Sequence, residues 1–163
     1  MAVDLNSLKT NDKGVLGAAI GVFIFSFFGS YVTVSFGGFS AGTDAWHSYA
    51  VLALLLLFAA AVIVAIKAFA LVELPDVGVG WALITTACAA LGAVLLILRA
   101  LTYSGNSVSV GWSGYVLFIL AIAETVFAAM GFRESGEKTP WADRTSGSSG
   151  SGAPPAPPPP PPA

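Results

Sequence analysis

Charge is what this chain lacks most. Only 10% of its 163 residues are Asp, Glu, Lys or Arg, against 56% apolar residues, where a soluble domain carries about 25% charged. A fold with so few charges cannot cover its own surface against water, so lipid must cover much of it. Seven basic against nine acidic residues give a net charge of −2, which gives no hint of the basic patch that a nucleic-acid partner would require, and none is expected. The single cysteine, Cys88, excludes an internal disulfide and sits among alanines as a small packing residue. The single histidine, His47, excludes bis-histidine haem ligation within one chain, and no Cys/His cluster offers a zinc site. There is no Gly-x-Ser-x-Gly elbow, no His-Glu-x-x-His helix and no phosphate loop. Neither an enzyme nor a resident cofactor or metal is expected.

What is present is a series of long apolar runs. WHSYAVLALLLLFAAAVIVAIK, from Trp46 to Lys67, holds no charge between its opening aromatic cluster and its closing lysine. As a helix rising about 1.5 Å per residue, it matches a hydrocarbon core of about 30 Å. Trp46 and Tyr49 suit one interface and Lys67 the other. The same frame recurs 66 positions on as Trp112, Tyr115 and Arg133. Four membrane spans are expected, over residues 15–36, 46–72, 78–101 and 111–132. They form an all-α bundle within residues 14–133, after a short polar segment, 1–13. If the recurrence is a duplication, the bundle is a 2+2 parallel repeat about an axis along the membrane normal. Aromatic belts and inner positive residues also arise without duplication.

The connections are polar and small. Residues 35–45, SFGGFSAGTDA, read as a glycine-rich turn, because no strand precedes Gly37-Gly38 and no Gly-Lys-Ser/Thr follows. Glu73-Leu-Pro-Asp76 reads as a hinge, and residues 103–110 as an uncharged loop. Lys9, Lys13, Lys67, Arg133, Lys138 and Arg144 fall on one side of the four spans, and Arg99 alone on the other. By the positive-inside rule both termini are cytoplasmic, with Arg99 snorkelling outward. Past Phe132 the chain changes character, and residues 134–163 read as a tail: RESGEKTPWADR, which opens on Arg133, is balanced in charge, SGSSGSG is linker-like, and APPAPPPPPPA favours polyproline II. This tail cannot bury a core and is expected to be disordered. Two roles fit it, a spacer and a preformed ligand for a cytoplasmic polyproline reader.

One residue stands out chemically. Glu124 falls well inside the fourth span, where a carboxylate is costly to ionise, so it should face the bundle, find a partner or take up a proton. Ala121, Ala128 and Gly131 lie on its helix at spacings suited to packing against another helix. Gly17-x-x-x-Gly21 offers a second small-residue face on the first span. Lys67 and Arg99 are the candidate partners of Glu124, displaced along the membrane in opposite directions. Thr85, Thr86, Ser26 and Thr33 read as hydrogen-bonding glue between helices.

The four spans, the glycine-rich loop running into Asp-Ala-Trp-His-Ser-Tyr and the Ala/Pro-rich tail together resemble small four-helix integral membrane proteins of actinobacteria. Those proteins carry proline-rich cytoplasmic C-termini and are largely of unassigned function. The resemblance implies the plasma membrane of a high-GC Gram-positive bacterium, and it carries over no site residue. The expected function is that of a non-enzymatic accessory or scaffold protein, packing with itself or a larger membrane complex. The alternative is a small oligomeric channel or proton-coupled transporter that uses Glu124.

Overall fold

The computed structural model describes residues 8–69, 75, 77–103, 108–137 and 139. The Glu73–Asp76 hinge apart from Pro75, the middle of the 103–110 loop, and the tail beyond residue 139 lie outside the described residues. Four helices dominate: α1 (Thr10–Ser26), α2 (Ala50–Phe69), α3 (Trp81–Tyr103) and α4 (Trp112–Ser135). Each packs on two neighbours in the ring α1–α2–α3–α4, most extensively α1 on α4 and α2 on α3. The helices alternate in direction. One end of the bundle therefore gathers Lys9, Lys13, Lys67 and Arg133, and is called the lysine end below.

Three of the helices, α2, α3 and α4, are long and apolar enough to cross a membrane. Their sequences are rich in Ala, Leu and other helix formers, with no internal proline. Their apolar side chains point both ways. Leu54, Leu57, Leu96 and Leu117 are wholly buried, while Leu55, Leu91, Ile119 and Ile122 are exposed. A helix that is apolar on every side fits a bundle immersed in lipid.

The first helix departs from expectation. An apolar span was expected over residues 15–36, but α1 begins at Thr10 and stops at Ser26 after 17 residues. That is about 25 Å, short of the hydrocarbon thickness. The end has a local cause. The Ser26 hydroxyl donates back to the Phe23 carbonyl at 2.7 Å, and the Ser26 carbonyl accepts the Ala45 amide instead of continuing the helix. Beyond Gly29-Ser30 the chain alternates Val-Thr-Val-Ser-Phe, a β-branched pattern that prefers a pleated surface to a helix.

That stretch forms a sheet, which corrects the expectation of an all-α fold. Strand β1 (Val32–Phe36) pairs antiparallel with β2 (Phe39–Thr43) and, on its other side, with β3 (Val108–Val110). The turn between β1 and β2 is Gly37-Gly38, both at positive φ, the two-residue connection that suits a twisted hairpin. The glycine-rich loop is therefore a hairpin built into a cap over one end of the bundle, called the sheet end. The remaining boundaries shift modestly. α2 starts at residue 50, not 46; α3 runs from 81 to 103; and α4 runs to Ser135, into the segment expected to be tail.

Candidate functional site

Glu124 is the thirteenth residue of the 24-residue helix α4 and is 0% exposed. Ala121, one turn toward the sheet end, belongs to a core cluster with Leu54, Leu57, Ala93, Leu96 and Leu117. Ala128, one turn toward the lysine end, belongs to a second cluster with Val15, Ala60, Val64 and Ala89. The carboxylate thus sits at the seam of two apolar clusters, on the inward face of its helix. Neither of its oxygens has a hydrogen-bond partner among the described residues.

The two bases expected nearby are engaged elsewhere. Lys67 reaches Glu137, 4.0 Å from its ammonium. Arg99 is buried toward the sheet end, its guanidinium 5.6 Å from the centre of the Tyr49 ring. Of the hydroxyl residues, Thr86 bridges helices, its one hydroxyl proton shared between the Ala82 carbonyl of its own helix at 2.9 Å and the Ala128 carbonyl of α4 at 3.1 Å. Thr85 stays within its helix, and Thr33 lies within the sheet, 3.0 Å from the Ser109 hydroxyl.

The small residues divide by position. Gly21 packs against Leu120, and Gly14, seven residues before it, lies under the Phe127 ring, so a Cβ at either would meet α4. Gly17 faces open space, and a Cβ at Gly131 would make only an ordinary contact with Asn11. The α1–α4 interface is therefore built on the Gly14/Gly21 pair, at a seven-residue spacing, rather than on Gly17-x-x-x-Gly21. The spacing itself was the available signal, since residues two turns apart return to one face.

The aromatic anchors also differ in kind. Trp46 lies before α2, half-buried, and its indole N–H donates to the Ser26 hydroxyl at 3.0 Å. Trp112 is the first residue of α4 and is 53% exposed. Tyr49 precedes its helix, whereas Tyr115 lies within α4. Only Lys67 and Arg133 match, each in the last turn of its helix. The equal sequence spacing thus lands in unequal surroundings.

Three sets of interactions were not legible from spacing. At the sheet end, Tyr31 is almost wholly buried and its hydroxyl donates to the Leu96 carbonyl at 2.7 Å. Burial pushes that hydroxyl above the ordinary tyrosine range, against the opposing charge of Arg99, so it keeps the proton it donates. Nearby, Asp44 accepts the Trp46 amide and lies 2.7 Å from the His47 ring nitrogen Nδ1. At the lysine end, the α4 helix closes on Gly136 in the left-handed conformation. The next residue, Glu137, accepts the Ala82 and Leu83 amides at 3.0 and 3.4 Å. Glu137 thereby satisfies free N–H groups at the start of α3, across 55 residues of chain.

A cavity of about 230 Å³ opens at the lysine end, with Lys9, Asp12, Lys67 and Glu134 at its polar lining and Val15 and Ala128 below. Among the described residues no three His, Cys, Asp or Glu side chains come together as a metal site. The fold and site define a mostly helical protein with three membrane-capable helices around a buried carboxylate. The chain matches no known protein family, no curated protein and no solved structure.

Proposed function

We propose that this chain is a multi-pass plasma-membrane protein of accessory or scaffold type, working through the outer faces of its bundle rather than through its interior. The observation that carries this is the packed core: Ala53, Leu54, Leu57, Ala60, Ala89, Leu96, Leu117 and Ala121 are all 0% exposed. A single copy so filled offers no conduit, while Leu52, Leu55, Leu91, Ile119 and Ile122 face outward and are free to meet lipid or other helices. The helix α1 serves as a fourth span. Its antiparallel packing along α4 and its exposed Ile20, Phe23 and Ile24 favour a place in the bilayer. The clustering of bases at the lysine end supports a cytoplasmic position for both termini. The proline-rich tail then projects into the cytoplasm as a spacer or a docking segment for a polyproline reader.

Affinity purification from native membranes tests this, with the full chain beside a version ending at Thr145. A partner lost with the tail makes the tail the docking segment, and a partner kept by both places recognition on the helices. A full-length chain recovered alone and monomeric, with no phenotype on deletion, sinks the scaffold role.

The unpartnered Glu124 carboxylate favours a second role, an oligomeric assembly that couples to protons or cations through it. Glu124→Gln separates the two. A scaffold tolerates the substitution, whereas proton-coupled flux in reconstituted vesicles disappears with it.

A further inference from the structure

Between α1 and α2 lies an apolar groove of about 810 Å³. Its walls are Leu16 and Ile20 on one helix and Ala61 and Val62 on the other, with Gly17 also lining it. Gly17 has nothing within 4 Å of where a Cβ would stand, so its missing side chain is part of the space.

The two ends of this groove differ. At the lysine end it opens beside Lys13 and Phe69. At the other end Phe23 and Phe58, which also line it, meet at a ring separation of 5.8 Å, steeply inclined. From Lys13 to Phe23 is ten helical steps, about 15 Å. That is half of a hydrocarbon core of about 30 Å, the depth of one leaflet. A transmembrane helix crossing both leaflets would run into the Phe23–Phe58 pair, whereas an acyl chain ends there. Lys13 is exposed, and among the described residues no carboxylate forms an ion pair with it. A cation at the headgroup level of a leaflet-deep apolar slot complements an anionic headgroup.

We propose that the α1–α2 groove is a binding site for one anionic phospholipid of the leaflet on the lysine side, with an acyl chain along Gly17 and the phosphate at Lys13. The proposal rests on the reading of α1 as a span but not on the scaffold role, since a bound lipid is compatible with either role of the bundle.

Native mass spectrometry of the detergent-purified full chain tests it, with phosphatidylglycerol or phosphatidylcholine of the same acyl composition added in turn. The expected result is one retained phosphatidylglycerol per chain, bound at least tenfold more tightly than phosphatidylcholine. Gly17→Leu, which fills the slot where no atom stands, should lower retention of both lipids at least tenfold, and Ala61→Leu should do so from the α2 wall if Gly17→Leu folds poorly. Lys13→Gln should remove the preference between headgroups while leaving chain retention in place. Ile119→Phe, on the exposed face of α4, should change neither. Equal retention of the two lipids by the unmodified chain overturns the proposal, as does undiminished retention in both filled variants. A dimer that dissociates on Gly17→Leu also overturns it, and gives the groove to a second copy.

Discussion

The two ends of this bundle are closed in different ways. At the sheet end, backbone meets backbone. A Cβ at Gly42 would collide with the Gly29 carbonyl, and one at Gly111 with the Ser30 carbonyl. The Gly111 amide donates to the Tyr31 carbonyl, the Tyr31 amide donates to Thr43, and the Tyr31 hydroxyl reaches α3. At the lysine end, among the described residues, the side chain of Glu137 joins the start of α3 to the end of α4 and approaches Lys67 of α2. The first closure has little freedom to adjust, because backbone atoms cannot rotate out of the way. The second can be made or broken by one carboxylate, at the point where the chain continues into its proline-rich tail. A rigid cap and an adjustable base follow from these two kinds of contact.

The largest effect is expected where the cap is tightest. Gly111→Val forces a branched side chain into the Ser30 carbonyl, so the β3–α4 junction and the Ser30 segment must move apart. Overpacking of this kind costs about 3 kcal/mol, and the variant should unfold at far lower denaturant in a titration of detergent-solubilised protein followed by tryptophan fluorescence. An unchanged midpoint would show that the cap is as adjustable as the base. A smaller effect is expected from Tyr31→Phe, which keeps the ring in the core and removes only the donor to Leu96. The expected loss is about 1 kcal/mol, read by the same titration. The Leu96 carbonyl lies within α3, where the helix supplies an alternative donor, which keeps the cost from rising further.

The difference between the ends also explains what the sequence made legible. Three long apolar runs predicted α2, α3 and α4 to within a few residues, because length and uninterrupted hydropathy suffice for a membrane-length helix. The inward orientation of Glu124 followed from the cost of a carboxylate in hydrocarbon, and its neighbours Ala121 and Ala128 share its buried face. The cap was missed. Hydropathy cannot separate a helix from a strand when both are apolar, and residues 15–36 contain one of each. The signal was nevertheless present as Val-Thr-Val-Ser-Phe and Phe-Ser-Ala-Gly-Thr flanking Gly-Gly, a hairpin pattern that apolar length concealed. The hairpin tip, with Phe36 81% and Phe39 85% exposed, carries no charge. Glu137 was missed for another reason. Its amide partners lie more than 50 residues away, and no local pattern announces a long-range helix cap.

That cap gives the smallest and most discriminating test. Glu137 contributes in two ways, by accepting the α3 amides and by facing Lys67, and the geometry ranks them. The amide contacts of 3.0 and 3.4 Å occur at a helix N-terminus, where a carboxylate also meets the helix dipole. Losing a capping acceptor costs about 1 kcal/mol. The Lys67 ammonium stands 4.0 Å away and its side chain is 40% exposed, so solvent screens the pair to a few tenths of a kcal/mol at most. Glu137→Ala should therefore lower stability by about 1 kcal/mol, and Glu137→Gln, which keeps an acceptor but no charge, by less. Lys67→Met should have almost no effect in 0.15 M salt. Hydrogen exchange at Ala82 and Leu83 should accelerate in Glu137→Ala while the amides of Tyr31 and Gly111 stay protected. If all four amides accelerate together, the bundle opens as one unit and its two ends are not independent closures. If Lys67→Met matches Glu137→Ala in cost, the base is held by charge rather than by the cap, and its strength should then fall with added salt.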